Sequence, residues 1–362
     1  MLLAINATAA NREEKTGVEW YSYFLLQEFK KLIPSDVEVV LYLSRGPQSD
    51  LLPLPYNWRI KILKWPLNKL WSVFRLSLEM LVHKPDVLFV PSHTVPFFAP
   101  KNTFTTIHDI GFERFPETYG RLSLFLQKFG VWRAKKAAKM IFTPSEFTKK
   151  ELVGVCAMSP EKISVTPLGC ATESSAATEN FAEGIFKKYG TKKPYFIFVG
   201  RREKKKNITG IIEAFKIFKQ NNPDYSLVLV GSDGRGWRSS AKYSKLDIVT
   251  IGWLPKQQIT ALMKNAEALL FPSLYEGFGL PILEAFACET PVITSNCASM
   301  PETAGDAALF VDPLDPRQIA KAMERIVKDY LLRTKIVQKG KARLMEFGWE
   351  KCAKATLNFL LN

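Results

Sequence analysis

Residues 271–285 read F-P-S-L-Y-E-G-F-G-L-P-I-L-E-A and give the clearest indication of the fold. An apolar run ends at Phe271, a loop with two glycines follows, and Pro281 opens the next apolar run. Proline suits the first turn of a helix, because its missing N–H would be unpaired there and its φ is already helical. A strand, a loop and a helix in this order form the repeating unit of a parallel α/β sheet.

The same unit recurs along the chain. In the first half we predict strands at residues 2–7, 37–43, 59–63, 86–90, 103–107, 139–143 and 162–166. Helical patterns such as 20–31 and 69–82 lie between them. A second series of strands follows at residues 195–199, 226–230, 247–251, 268–271 and 291–294. The alternation indicates parallel sheets covered by helices on both faces, which bind ligands at the carboxyl ends of their strands.

The length of 362 residues exceeds one ordinary hydrophobic core, so we expect two domains. We place them at residues 1–170 and 193–345, joined by a linker at 171–192 where small and polar residues prevail. Residues 346–362 form an amphipathic C-terminal helix, which the sequence allows to cross back to the first domain.

The composition excludes several classes of protein. Hydrophobic residues make up 47% and charged residues 23%, which is typical of a globular chain and excludes a disordered one. No apolar run is long enough to span a bilayer, and we expect no secretory signal. The formal net charge of +15 favours polyanions, among them nucleic acid, anionic lipid and phosphorylated sugars, without choosing between them.

Cysteine and histidine usage argues against a metal site. The five cysteines form no C-x-x-C pair, which favours free thiols in a reducing cytoplasm. The histidines, at 83, 93 and 108, are too scattered for a His/Cys cluster. We therefore expect no dedicated metal.

A basic loop follows the predicted strand at 195–199. Residues 198–207 read F-V-G-R-R-E-K-K-K-N, with Asn207 as a candidate N-cap for the apolar helix beyond. Cations between a strand end and a helix N-terminus suit a diphosphate. We assign that role to Arg201 and Lys206, and we interpret Lys204 and Lys205 as a solvated run.

Two carboxylates lie in the stretch at 271–285. Glu276 is in the loop and Glu284 is one turn into the helix, so both can face one cleft and accept hydrogen bonds from vicinal hydroxyls. Gly277 and Gly279 would let backbone amides approach a ligand closely. The alternative is an ordinary strand-to-helix turn with surface glutamates, but the complete string is far more specific.

This string resembles the E-x7-E signature of glycosyltransferase family 4, a retaining family with the GT-B fold. Gly200, Arg201 and Lys206 also meet the family's G-R-x-x-x-x-K pattern, and weaker similarity covers nearly the whole chain. The resemblance implies two Rossmann-like α/β domains with an inter-domain cleft. The N-terminal domain would bind the acceptor, and the C-terminal domain the nucleotide-sugar donor.

The resemblance also implies roles for single residues. Arg201 and Lys206 would hold the donor diphosphate, Glu276 would contact the transferred sugar, and Glu284 the ribose hydroxyls. The remaining donor-binding residues would be Gly17, Gly200, Gly252, Trp253, Gly277, Phe278, Gly279 and Leu280.

His108 follows the predicted strand at 103–107, so it lies at a carboxyl end. A single histidine more often has a structural hydrogen-bonding role. The resemblance instead implies that His108 touches the donor sugar, orients it and stabilises charge, so we expect it to be catalytic together with Glu276. We assign no protein nucleophile, because in this family the departing phosphate is proposed to accept the acceptor's proton.

Aromatic and basic residues alternate between Trp58 and Lys84, which suits an anionic membrane surface. The residues expected to contact it are Lys61, Lys64, Trp65, Lys69, Trp71 and Arg75. The alternative is that Leu70, Phe74, Leu78 and Leu81 form a core stripe. No nucleic-acid-binding module is recognisable, so we expect no nucleic acid partner.

The sequence thus predicts a retaining, metal-independent hexosyltransferase of polysaccharide biosynthesis. It would move a sugar from a nucleoside-diphosphate sugar to a hydroxyl of a lipid-linked or cell-surface saccharide precursor, as a peripheral membrane protein at the cytoplasmic face. Residues 107–109 resemble mannosyltransferases, so GDP-mannose is the expected donor. The alternatives are an epimerase or hydrolase of the same fold and a non-catalytic nucleotide-binding protein.

Overall fold

The computed structural model describes residues 1–66, 70–92, 94–170, 178–235, 237 and 246–362, and in residues 178–181 it describes the backbone only. Two compact units divide the chain. The first comprises Met1–Ile110, Gly120–Gly169 and Phe347–Asn362, and the second comprises Gly111–Tyr119 and Cys170–Glu346.

The first unit is built on a parallel seven-stranded sheet in the order β3-β2-β1-β4-β5-β6-β7. The strands are β1 (Leu2–Asn6), β2 (Glu38–Leu43), β3 (Trp58–Ile62), β4 (Val87–Val90), β5 (Thr103–Thr106), β6 (Met140–Thr143) and β7 (Ile163–Val165). The helices are α1 (Gly17–Leu32), α2 (Leu76–Val82), α4 (Arg121–Ala137), α5 (Glu146–Cys156) and, at the end of the chain, α13 (Trp349–Leu360). A single turn of π-helix, Trp71–Arg75, leads into α2.

The second unit has a parallel six-stranded sheet in the order β10-β9-β8-β11-β12-β13. Its strands are β8 (Tyr195–Val199), β9 (Ser226–Val230), β10 (Ile248–Ile251), β11 (Leu269–Phe271), β12 (Val292–Ser295) and β13 (Leu309–Val311). Its helices are α3 (Gly111–Arg114), α6 (Thr178–Tyr189), α7 (Ile208–Lys219), α8 (Lys256–Lys264), α9 (Leu280–Ala287), α10 (Met300–Ala304), α11 (Pro316–Lys328) and α12 (Tyr330–Leu344).

Both sheets are doubly wound. The strand order reverses between β1 and β4 in the first sheet and between β8 and β11 in the second. Open sheets of this kind bind ligands at the carboxyl ends of the strands beside such a reversal. The predicted α/β class, with two Rossmann-like units, is confirmed.

Two elements differ from the sequence prediction. Residues 178–189, predicted as linker, form α6, because Ala182 and Ile185 give that helix an apolar face that is buried. The rest of that linker, residues 171–177, lies outside the described residues. Strand β13 was not predicted, because it lies at the edge of the sheet and, of its three residues, only Val311 is buried.

The C-terminal helix α13 packs against α1 within the first unit. The Trp349 ring stacks on Phe24 with centroids 5.2 Å apart and is tilted against Tyr21 at 6.2 Å. The backbone of Trp349 passes so close to Gly169 that a Cβ at residue 169 would lie 2.2 Å from its nitrogen. Only glycine therefore fits at the point where the chain leaves the first unit.

We expect Gly169→Ala to lower the free energy of unfolding by about 2–3 kcal/mol, because Trp349 would have to move. Gly154→Ala is the matched control. Residue 154 lies in α5 with no atom within 4 Å of an added Cβ. Alanine should raise stability there by about 0.5–1 kcal/mol, because it is the better helix former. Urea unfolding measures both changes, and equal effects would contradict the close approach.

Candidate functional site

The two sequence motifs meet at the reversal of the second sheet. Strand β8 ends at Val199 and leads into Gly200 and Arg201, while its neighbour β11 ends at Phe271 and leads into the loop with Glu276. Because parallel strands end at the same edge of a sheet, both motifs lie where doubly wound sheets bind ligands.

Glycine is required where the loops after β8 and β9 cross. A Cβ on Gly231 would lie 2.1 Å from the carbonyl oxygen of Gly200. The φ values of Gly200 and Gly231 are +149° and +131°, a region that favours glycine. The Arg202 N–H donates to the carbonyl oxygen of Ser232 at 2.9 Å, which fixes the two loops together.

Arg202 is a positioning residue that the sequence did not reveal. Its side chain is buried, and its Nη1 donates to the carbonyl oxygens of Leu229 at 3.2 Å and Ile251 at 2.8 Å. Its Nε donates to Oδ1 of Asp233 at 2.7 Å. One guanidinium thus joins the ends of β8, β9 and β10. The doublet Arg201-Arg202 could have suggested that the two arginines have different roles.

An ion pair joins the basic loop to the loop after β11 (residues 272–279), the glutamate loop. Lys206 Nζ contacts Glu276 Oε1, and both side chains are largely buried. The Leu274 N–H donates to the carbonyl oxygen of Lys205 at 2.8 Å. Lys206 Nζ also lies 5.5 Å from the centre of the Phe271 ring. The residues that the sequence assigned to a diphosphate and a sugar are therefore in direct contact.

The neighbouring lysines are not a uniform solvated run. Lys204 is exposed and pairs with Glu117 at 2.6 Å, but Lys205 is buried, with Nζ 3.7 Å from Glu203 Oε1. The solvated interpretation is therefore wrong for Lys205. The run Lys204–Lys206 forms a 3₁₀ turn, which turns its successive side chains to different environments.

Asn207 stands at the start of α7 but does not cap it with its side chain. Its Nδ2 instead donates to the carbonyl oxygens of Pro272 at 3.1 Å and Pro313 at 2.6 Å. The Asn207 side chain thus connects α7 to the start of the glutamate loop. Gly210 leaves room for it, since a Cβ there would lie 2.5 Å from Asn207 Oδ1.

Buried hydroxyls hold the glutamate loop from the opposite side. Ser295 Oγ donates to the carbonyl oxygen of Ser273 at 2.6 Å, and Ser299 Oγ to that of Glu276 at 2.9 Å. Thr303 Oγ1 donates to the carbonyl oxygen of Phe278. These bonds satisfy loop carbonyls and fix the path of the backbone through Glu276. Polar residues spread over β12 and α10 give no sequence signal for such a function.

The other donor-binding candidates of the second unit lie around the start of α9 and just after β10. Gly279 has a φ of +99° and directly precedes α9, whose first residue is Leu280. Burial first and the charge of Glu284 second raise the pKa of Cys288 to about 12, so that thiol stays protonated. After β10, Gly252 is open to solvent and Trp253 is exposed.

His108 is fixed within the first unit. Its Nε2 lies 3.1 Å from the carbonyl oxygen of Pro91, so Nε2 carries the proton and Nδ1 is the acceptor. The Tyr21 ring meets the imidazole edge-on at 4.6 Å. Burial lowers the pKa of His108, although the Pro91 carbonyl and the charges of Asp109 and Glu19 oppose the shift. The imidazole is therefore neutral at pH 7.

Gly17 is the first residue of α1, and an added Cβ there would meet no atom within 4 Å. Thr16 and Glu19 form a capping box, in which the Thr16 N–H donates to Glu19 Oε2 at 3.2 Å. Gly17 and His108 belong to the first unit, and the other donor-binding candidates belong to the second.

Trp71 cannot make the expected contact with a membrane. This residue is buried in the core of the first unit, and its Nε1 donates to the carbonyl oxygen of Leu63 at 2.7 Å. Trp65 packs against the same core, Lys64 is exposed, and Lys69 lies outside the described residues. Lys61 and Arg75 both pair with buried Glu79, at 2.5 Å and 3.4 Å, which neutralises much of their charge.

The alternative of a core stripe is also wrong. Phe74, Leu78 and Leu81 are about half exposed, at 50%, 52% and 48%. Val73, Leu76 and Met80 form the buried face in their place. Because the segment begins with a π turn, the residues that face the core are not those of a regular helix started at residue 69.

Among the described residues, no group of three His, Cys, Asp or Glu side chains could hold a metal ion. None of the helices in the described part of the chain is long and apolar enough to cross a membrane.

Comparison with known proteins agrees with this geometry. Residues 182–343 match the family model for glycosyl transferases group 1, and residues 15–174 match the model for glycosyltransferase family 4. The chain is 30% identical over 278 residues to O-antigen chain mannosyltransferase B of Escherichia coli, covering 74% of this chain and 72% of that protein. O-antigen chain mannosyltransferase RfbU of Salmonella typhimurium is 27% identical over 275 residues, with the same coverage of both chains.

Solved structures share the fold. Anabaena HepE in complex with UDP-glucose superposes with a TM-score of 0.74 at 16% identity, covering 99% of both chains. WaaG, a glycosyltransferase involved in lipopolysaccharide biosynthesis, superposes with a TM-score of 0.72 at 15% identity and the same coverage. Two doubly wound units with these motifs define a glycosyltransferase of the GT-B fold. The chain belongs to the group 1 glycosyltransferases of family 4.

The lowered pKa of His108 predicts an effect of pH on stability. The unfolded imidazole takes up a proton near pH 6.5, whereas the folded one resists protonation. Below about pH 6.5 the unfolded chain therefore binds more protons, and the wild type loses stability on acidification. His108→Gln, whose amide can still donate to the Pro91 carbonyl, lacks this contribution.

We expect the difference in urea midpoint between wild type and His108→Gln to be constant above neutral pH. It should shift against the wild type below about pH 6.5. Midpoints measured across this range test the prediction. A difference that stays constant into the acidic range would mean that the pKa of His108 is not lowered.

Proposed function

We propose that the chain transfers a hexose, with retention of configuration, from a nucleoside-diphosphate sugar to a hydroxyl of a lipid-linked or cell-surface saccharide precursor. The contact between Lys206 and Glu276 at the reversal of the second sheet carries this proposal. It joins a cation that suits a phosphate to a carboxylate that suits a sugar hydroxyl, where doubly wound sheets bind nucleotides.

The donor diphosphate meets Arg201 and Lys206 in this proposal. Arg201 is exposed and makes no ion pair with the described residues, so its five N–H donors are available to phosphate oxygens. Lys206 has three donors and can bind a phosphate oxygen while it keeps Glu276. The N-terminus of α7 adds the positive end of its dipole.

The reaction assigned to this site breaks the bond between the anomeric carbon and the diphosphate oxygen. A bond to the acceptor oxygen forms on the same face of the sugar, and the acceptor's proton passes to the departing phosphate. Glu276 accepts hydrogen bonds from the sugar hydroxyls, and Glu284 from the ribose. His108, neutral and fixed through Nε2, offers Nδ1 as an acceptor that orients the sugar.

The names of the relatives support mannose as the transferred sugar and GDP-mannose as the donor. Two of them are O-antigen chain mannosyltransferases. HepE, which shares the fold, binds UDP-glucose. Donor titrations therefore have to distinguish a guanine from a uracil base. The O-antigen role of the relatives also supports a saccharide acceptor, which we assign to the cytoplasmic face of a membrane, with the chain bound there peripherally.

A pair of adjacent arginines gives a sharp test of the donor site. Arg201→Gln should weaken donor binding roughly 10- to 150-fold, because a charge-assisted contact of about 1.5–3 kcal/mol is lost, and stability should not change. Arg202→Gln should lower the free energy of unfolding by about 2–3 kcal/mol, because it leaves the buried carbonyls of Leu229 and Ile251 without a donor. Lys204→Ala should change neither quantity much, since its side chain is exposed.

Calorimetric titration with GDP-mannose and UDP-glucose measures donor binding, and urea unfolding measures stability. Wild-type donor affinity in Arg201→Gln would overturn the assignment of the basic loop. Equal stability losses in both arginine variants would show that the loop acts only in folding.

We further predict that transfer needs no divalent metal, because Arg201, Lys206 and the start of α7 supply the positive charge for the diphosphate. Turnover should persist in excess chelator after removal of bound metal. A loss of turnover that Mg²⁺ or Mn²⁺ restores would contradict this mechanism. The anomeric configuration of the same product, read by NMR, tests retention.

A further inference from the structure

A groove of about 610 Å³ opens on the first unit beside the amino ends of β4 and β5. The end of α2, residues 97–102 and Arg133 of α4 line it. The predicted sugar chemistry uses the carboxyl ends of strands, so this groove belongs to the opposite edge of its sheet. None of the candidate donor-binding or catalytic residues lines it.

Part of the groove lining is apolar and exposed. Leu81, Phe97 and Phe98 line the groove and are 48%, 52% and 45% exposed. Phe74 and Leu78 extend the apolar surface from Leu81, because residues four and three apart share one face of a helix. A continuous apolar surface of this kind marks a place of contact with a partner or a membrane.

The groove lining also carries positive charge. Lys84, Lys101 and Arg133 line the groove against a single acid, Asp86. Asp86 is already engaged, since its Oδ2 accepts the Leu2 N–H at 2.7 Å. Lys84 and Lys101 form no salt bridge with the described residues, unlike Lys61 and Arg75, which share Glu79.

Arg133 has a buried donor without an acceptor. Its Nη2 donates to the carbonyl oxygens of Pro96 at 3.1 Å and Phe97 at 2.6 Å, and its guanidinium lies 5.3 Å from the Phe97 ring centre. Its Nε is buried and has no hydrogen-bond partner, and no carboxylate pairs with it among the described residues. The positive charge of Arg133 at the groove is therefore not neutralised by the described residues, and it favours an anionic ligand.

The helix that carries Arg133 is itself suited to a bilayer surface. Helix α4 reads RLSLFLQKFGVWRAKKA and contains no acidic residue. Leu122, Phe125 and Trp132 on it are 56%, 63% and 50% exposed. Apolar and aromatic side chains together with Lys and Arg on one exposed helix are typical of an interfacial helix.

We propose that this groove binds the phosphate headgroup of an anionic phospholipid at a bilayer surface, with the charged guanidinium of Arg133 attracting the phosphate. Lys84 and Lys101 add positive charge, and Leu81, Phe97 and Phe98 contact the acyl region. The inference gives a location to the membrane attachment proposed above and does not depend on the sugar chemistry. It replaces the six contact residues that the sequence indicated between Lys61 and Arg75.

Sedimentation of the full chain with vesicles tests the proposal. One vesicle is phosphatidylcholine alone, and the other contains equal parts of phosphatidylcholine and phosphatidylglycerol. The wild type should bind only the second, and more weakly at high salt. The double variant Lys84→Gln/Lys101→Gln should bind it about 30-fold more weakly, on the scale of one lipid-facing charge per lysine.

The matched control is Lys61→Gln/Lys64→Gln, which removes the same charge from the surface indicated by the sequence. It should bind vesicles nearly as the wild type does. Equal losses in both double variants, or no vesicle binding by the wild type, would overturn the proposal. Release of the wild type by inorganic phosphate at an ionic strength matched with chloride would assign the site to free phosphate and would also overturn it.

Two further variants test the apolar side chains and Arg133 separately. Phe97→Ser/Phe98→Ser should weaken vesicle binding without changing the net charge, and unchanged binding would exclude contact of these two side chains with the acyl region. Arg133→Gln removes the charge, while its amide can still donate to a backbone carbonyl, so wild-type binding by it, with circular dichroism unchanged, would exclude a contribution of Arg133. Donor affinity should remain at the wild-type value in every one of these variants, so a failure here is distinguishable from a failure of the proposed donor site.

Discussion

The pairing of β8 with β11 is the constraint on which the candidate site depends. These strands are far apart in sequence, yet they are neighbours in the sheet because the chain reverses its winding direction between them. The reversal leaves room above the strand ends, since the following helices pack on opposite faces. Lys206 and Glu276 then meet, and the hydrogen bond from the Leu274 N–H to the Lys205 carbonyl oxygen joins their two loops. The chemistry follows from topology first and from side chains second.

The parts of the site that could be predicted are those with a local pattern. Gly200, Arg201 and Glu276 stand in strings whose spacing reflects one strand, one turn and one helix, so a single window of sequence contains the information. Arg202 could not be predicted, because its function comes from carbonyls of two other strands. Ser299 is similar, since a buried hydroxyl that holds the Glu276 backbone has no periodicity of its own.

The prediction for the segment between Trp58 and Lys84 was wrong for a different reason. Its composition was interpreted correctly as amphipathic, but composition does not decide which face is buried. The π turn at Trp71–Arg75 rotates the helix, so Trp71 enters the core and Phe74 faces solvent. Glu79 then forms ion pairs with Lys61 and Arg75, two of the cations that were expected to contact a membrane. One extra residue in a helical turn rotates the residues that follow by about 100° around the axis, so a face assigned from regular spacing is displaced.

The short segment Gly111–Tyr119 belongs to the second unit although the chain on both sides of it belongs to the first. Glu117 pairs there with Lys204, and the Phe115 ring lies 6.3 Å from that of Tyr275, next to Glu276. The boundary between the units is therefore not one point in the gene. A recombination event near residue 170 that exchanged the second half for that of a relative would separate Lys204 from its carboxylate partner. Inheritance of the donor unit as a functional module thus requires nine residues encoded well upstream of it.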